Sequence, residues 1–148
     1  MTIKKSQRLH IVLELAERDE NEATEAVQVF RKRLQDEQQR LLELKEYYQE
    51  YENLFSRQRS GIRASEIASQ RQFLVELIRM QDRQTQQIAI VEKGLNQKLD
   101  AWRRCHLKYQ ALEQLIARIK QEENRVLDRK EQKLLDEWFA RVQSTIHK

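Results

Sequence analysis

Only a few residue types in this chain of 148 residues could carry chemistry by themselves: one cysteine, three histidines and a large set of carboxylates. Cys105 and His106 are neighbours, so on a helix their side chains point about 100° apart and cannot easily share a ligand or act as nucleophile and base. His10, His106 and His147 show no metal-ligand spacing. A phosphate-cradling loop needs glycines a few residues apart, and the only two, Gly61 and Gly94, are 33 positions apart. A carboxylate becomes a general acid where desolvation or a close like charge raises its pKa. Here 24 acidic residues are dispersed among 28 basic ones at helical spacing. The expectation is a protein that is not an enzyme, with no catalytic residue, no cofactor and no metal. Cys105 reads as a small seam residue and His106 as a solvated flank residue.

The elements that position these residues follow from composition. Two glycines, no proline and 35% charged residues are the make-up of long helices rather than of a compact globule. The mean hydropathy of −0.88 would also suit disorder, but the apolar residues are periodic, which a disordered chain has no use for. A net charge of +4 from mixed signs fits a solvated helical surface better than a nucleic-acid footprint. A single cysteine excludes an intrachain disulfide and points to a reducing compartment. No run approaches 18 apolar residues, so no membrane-spanning helix is expected. The N-terminal stretch lacks a cleavage site and its charges resume at Glu14, so it does not read as a signal peptide.

From Leu13, steps of three and four pick out Ala16, Glu20, Ala23, Val27, Phe30, Leu34, Glu37, Leu41, Leu44, Tyr48, Tyr51 and Phe55, a heptad seam. A second seam runs through Leu74, Leu77, Gln81, Gln84, Ile88, Val91, Leu95, Lys98, Trp102, Cys105, Tyr109, Leu112, Ile116 and Ile119. Past Glu123 its stripe slides by one position, to Leu127, Leu134, Trp138 and Val142, which marks where the helix stops following its first partner. Ser60 and Gly61 supply the break between the seams, with Ser65 expected to cap the second helix and Glu66 to favour its positive end. Gly94 reads as a tolerated helical glycine costing up to about 1 kcal/mol.

The predicted fold is all-α: an antiparallel two-helix coiled-coil hairpin, one domain over 1–148. Helix one spans about 4–58, the turn 59–64 and helix two 65–146. Folding back at Gly61 makes partner numbers add to roughly 122. That sets Phe55 against Ile67, Tyr48 against Leu74, Leu34 against Ile88, Val27 against Leu95 and Leu13 against Tyr109. Glu37 then falls opposite Gln84 or Thr85, and Glu20 near Trp102. At 1.5 Å per residue the second helix runs to ~120 Å and overshoots the first by roughly 25 to 30 residues. The overhang, 121–148, holds Val126, Leu127, Leu134, Leu135, Trp138, Phe139, Val142 and Ile146 with no partner in the chain, as a binding surface would. Near the turn, Tyr47, Leu44 and Tyr51 lie level with Phe73, Leu77 and Met80, forming a second candidate patch. Arg57, Arg59 and Arg63 have no acid between Glu52 and Glu66, which suits a solvated tip, an acidic partner or RNA.

The order YYQEY, then Gly61-Ile62, Gln72-Phe73, the Leu99, Ala101, Trp102, Arg103 region and QKLLDEWFAR at 132–141 resembles the flagellar type III export protein FliJ family, over roughly 10–141. The resemblance implies an antiparallel two-helix coiled coil similar to the central stalk of rotary ATPases. It implies association with the hexameric flagellar export ATPase, contact with the cytoplasmic part of the export gate membrane protein, and help in handling export chaperones. Carried over by position, the gate contact falls on Leu44, Tyr47, Tyr51, Phe73 and Leu77. Arg40, Met80 and Gln84 depart from the family pattern at its edges. The ATPase contact is expected at the end opposite the turn, on Leu127, Leu134, Leu135, Trp138 and Val142. The implied location is cytoplasmic, peripheral to the inner membrane at the flagellar base. Rival readings are the stalk of a virulence type III injectisome, an RNA-binding helical arm, or a self-associating structural coiled coil.

Overall fold

A computed structural model describes residues 4–58 and 60–146, and so leaves out Arg59 and His147. Two helices make up the fold: α1 (Lys5–Arg57, 53 residues) and α2 (Ala64–Ile146, 83 residues). Both are built from Glu, Gln, Arg, Lys, Leu and Ala, which sustain a helix without help from neighbours better than β-branched residues do. The break between them is Gly61, whose φ of +85° is the left-handed conformation that costs an L side chain most. Together they form the expected all-α helical hairpin. No residue among those described is both large and fully buried, so the core is a narrow seam.

The start of α2 differs from expectation. The amides of Glu66 and Ile67 donate to the Arg63 carbonyl at 3.0 and 3.2 Å, so Arg63, not Ser65, holds the cap position. Ser65 already lies inside the first turn, where its carbonyl accepts the Ser69 hydroxyl at 3.0 Å. Arg57 closes the last turn of α1, where a cation favours the negative helix end. Two of the three turn arginines thus have a backbone or dipole role.

Contacts divide the chain into two compact units, 22–103 and a second made of the residues up to Asn21 with those from Arg104 onward. In the 22–103 unit, Val27, Glu37, Leu77 and Val91 are buried and Phe30, Leu34, Leu41, Leu44, Tyr48, Leu74, Gln81, Gln84, Ile88, Leu95 and Trp102 are half-buried. Lys98, placed on the seam by its spacing, is exposed; its ammonium reaches over the Phe30 ring, 5.7 Å from the centroid. The helices run antiparallel: Tyr51 meets Phe73, Gln81 donates to the Leu44 carbonyl at 3.4 Å, and the Trp102 indole N–H donates to the Thr24 hydroxyl at 3.0 Å.

These pairs add to about 125, not 122. Side chains lean toward the N-terminus of their own helix. In an antiparallel pair both leans act in the same sense, so side chains meet about three positions later than the backbone levels alone imply. That offset is why the Trp102 indole N–H finds Thr24. Glu37 does meet Gln84, whose amide N–H donates to both the Glu37 carboxylate and its backbone carbonyl. Gly94 is also more than tolerated. The Phe30 ring lies against it so closely that a Cβ there would overlap Cε1 and sit 3.1 Å from Cδ1.

In the other unit Ser6, Ala16 and Ile116 are buried, and Leu9, Leu13, Glu20, Cys105, His106, Tyr109, Leu112 and Ile119 are half-buried. His106 is therefore not a solvated flank residue: its Nδ1 lies 3.0 Å from Glu20 Oε1. The same two-sided lean brings Glu20 and His106 together within this unit. The pairing closes where Ser6 meets Glu123, and α2 runs on to Ile146.

Candidate interaction surfaces

In the 22–103 unit the apolar residues flanking the seam converge near the turn. Tyr51 stands edge-on to Phe73 with centroids 4.8 Å apart at 71°, and Phe55 completes a triangle at 5.9 and 6.2 Å. Such edge-to-face contacts favour the rings beyond simple burial. Tyr47 is 52% exposed and Tyr51 and Phe73 are exposed beside it, whereas Leu44 is half-buried and Leu77 is only 7% exposed. Leu77 is a seam residue that supports the patch from beneath. Leu54, one heptad after Tyr47 and hence on the same helix flank, is exposed with Met80. Leu54 was missed in the sequence, although its spacing of seven from Tyr47 was the available signal.

In the other unit the helix past Glu123 carries Leu127, Leu134, Leu135, Trp138 and Phe139 exposed and Val142 half-buried. Leu134 is 64% and Trp138 57% exposed, and the Trp138 and Phe139 rings stand edge to face at 5.3 Å. At about 100° per residue these side chains and Ile146 cover an arc of roughly 140°, broader than a two-helix seam uses. Ile11, Val12, Leu15 and Leu115 are exposed in the same unit. A reading that follows one stripe per helix passes over them.

Titratable groups are few in the way of chemistry. Tyr109 is raised above the ordinary phenol value, first by its hydrogen bond to Glu113, then by burial and by the charges of Glu113, Glu17 and Glu20. Glu123 is held below the ordinary carboxylate value, chiefly by the Ser6 hydroxyl and also by the Ser6 amide, Lys4 and Lys120, against the opposing effect of burial. Cys105 is a free, half-buried thiol. Among the described residues no cluster of His, Cys, Asp and Glu could hold a metal ion, and no helix is long and apolar enough to cross a membrane.

The class this defines is an all-α, two-helix coiled-coil protein with more apolar side chains than its own seam can cover. The chain belongs to the flagellar FliJ protein family, whose model matches residues 5–145. Membership marks it as a component of flagellar type III export, within a family of structural adaptors. No curated protein and no solved structure gives a significant match.

Proposed function

We propose that this protein is a non-enzymatic stalk or adaptor of the flagellar export apparatus. It binds the hexameric export ATPase through Leu127, Leu134, Leu135, Trp138 and Val142. It binds the cytoplasmic part of the export gate through Leu44, Tyr47, Tyr51 and Phe73, with Leu77 beneath them, and it takes part in handling export chaperones. The setting is the cytoplasmic face of the inner membrane at the flagellar base.

The observation that carries this reading is the uncovered apolar face beyond Glu123 in a chain of the FliJ family. Its arc suits a surface built from more than one element better than a single facing helix. The flagellar family match supports this system over a virulence injectisome. The test is a pull-down of the cognate ATPase with Leu134→Ala plus Trp138→Ala, with hydrolysis rate as a second readout. Binding and stimulation should both be lost while helicity is kept; undiminished binding overturns the assignment. For the gate, Tyr47→Ala with Phe73→Ala is the cleaner pair, because both side chains are exposed where Leu77 is not. Persistent gate binding by that variant removes the patch from the reading.

A further inference from the structure

The first turn of α1 is poorly provided for by its own sequence. It contains no acidic residue, and Lys4, whose carbonyl accepts from the amides of Gln7 and Arg8 at 3.0 and 3.2 Å, occupies the cap position without a side-chain acceptor to offer. The first amides of a helix need such acceptors. The acceptor comes instead from α2, 117 positions away. Glu123 takes the Ser6 hydroxyl on Oε2 at 2.7 Å and the Ser6 amide on Oε1 at 3.3 Å. Ser6 is 4% exposed, so one carboxylate satisfies a buried hydroxyl and an orphan amide and meets the positive end of the helix.

Between this clasp and Ala16, the first buried apolar residue of α1, only half-buried Leu9 and Leu13 hold α1 to α2. Beneath that stretch lie Ile116, 5% exposed, and half-buried Ile119, which α1 alone covers among the described residues of this unit. Ile119 already forms an open apolar groove with Val126 and Leu127, flanked by Lys4, Lys5 and Glu122.

We infer that the Ser6–Glu123 contact is a latch: closed, it holds the first turns of α1 on α2; open, it releases them and extends the uncovered apolar face of α2 back to Ile116. Lys4 just before α1, Lys5 and His10 on it, and Lys120, Glu122 and Asn124 on α2, surround the carboxylate. A group that opens the latch must offer Glu123 a stronger donor than a hydroxyl and an amide, and an arginine or lysine side chain does so. The inference stands on this unit alone and is independent of which partner the exposed face binds.

Hydrogen exchange on the full chain tests it. Glu123→Ala should speed exchange of the amides of residues 8–13 by about tenfold or more, the scale of losing a hydrogen bond to a charged acceptor, and leave 27–44 unchanged. Ser6→Ala, which keeps the amide contact, should move the same amides less. In a Cys105→Ala background, Ile119→Cys should react faster with a maleimide once Glu123→Ala is added. Exchange at 8–13 that stays within about twofold of the parent, acceleration spread evenly over α1, or an unchanged maleimide rate overturns the latch.

Discussion

The seam of the 22–103 unit and the stretch of α2 beyond Glu123 are made of similar residues put to different use. Around Leu77 and Val91 the apolar residues recur at one narrow stripe and α1 covers them. Around Leu134 and Trp138 they spread over a wide arc, and nothing among the described residues covers them. Both are helix, and both draw on Leu, Val and an aromatic. The difference shows that apolar content alone does not say what a helix is for. The width of the face and its phase relative to the partner do.

Four outcomes break or sharpen that comparison. The largest effect is expected from truncating matched leucines. Leu77→Ala should cost about 2–4 kcal/mol, as for a buried leucine, while Leu134→Ala should stay within about 0.5 kcal/mol; urea midpoints compare them, and equal costs would abolish the distinction. Next is Gln84→Leu, which takes the amide donor from Glu37, a residue 7% exposed, and should cost about 1–3 kcal/mol. Glu37→Leu with Gln84→Leu should recover most of it.

Gly94→Ala is third, and its sign is the point. Helix propensity alone predicts a gain of up to about 1 kcal/mol, but overlap with the Phe30 ring predicts a loss of about 1–3 kcal/mol, relieved by Phe30→Leu. A gain on thermal unfolding would show that the ring yields. The smallest effect is local and depends on pH. Because Glu123 is held below the ordinary carboxylate value in the fold, its contribution is complete above the ordinary glutamate range. It is lost as pH falls through the lowered value. Exchange at 8–13 should rise in acid before that at 27–44 does.

Much of the fold was legible because a heptad seam is a one-dimensional signal. Spacing alone placed Val27, Leu77, Val91 and Ile116 inside, and a lone Gly61 marked the break. The register was harder, since it depends on the lean of side chains from both helices, which no stripe records. That is also how His106 escaped notice as the partner of Glu20. Gly94 could not be understood until Phe30 was brought against it, because the reason for a missing Cβ lies on the other helix. Of the candidate surfaces, the stretch past Glu123 was readable from its lack of any matching partner. The patch near the turn was only half readable: Leu77 satisfies both the seam and the flank at the level of spacing, and only packing separates it from Tyr47 and Phe73.

Glu37 and Gln84 have one further consequence. Two heptad seams can slide past each other by seven residues and match apolar layer to apolar layer again, so a purely greasy hairpin would have several nearly equal ways to zip. Here a slip of seven in either direction would set the Glu37 carboxylate against Leu77 or Val91, two of the least exposed side chains among the described residues, neither of which offers the donor that Gln84 does. The Glu37–Gln84 pair thus acts as a tooth that fits one notch of its stretch of the zipper. The stability recovered by replacing both residues with leucine would come with one fewer feature telling the molecule where to stop.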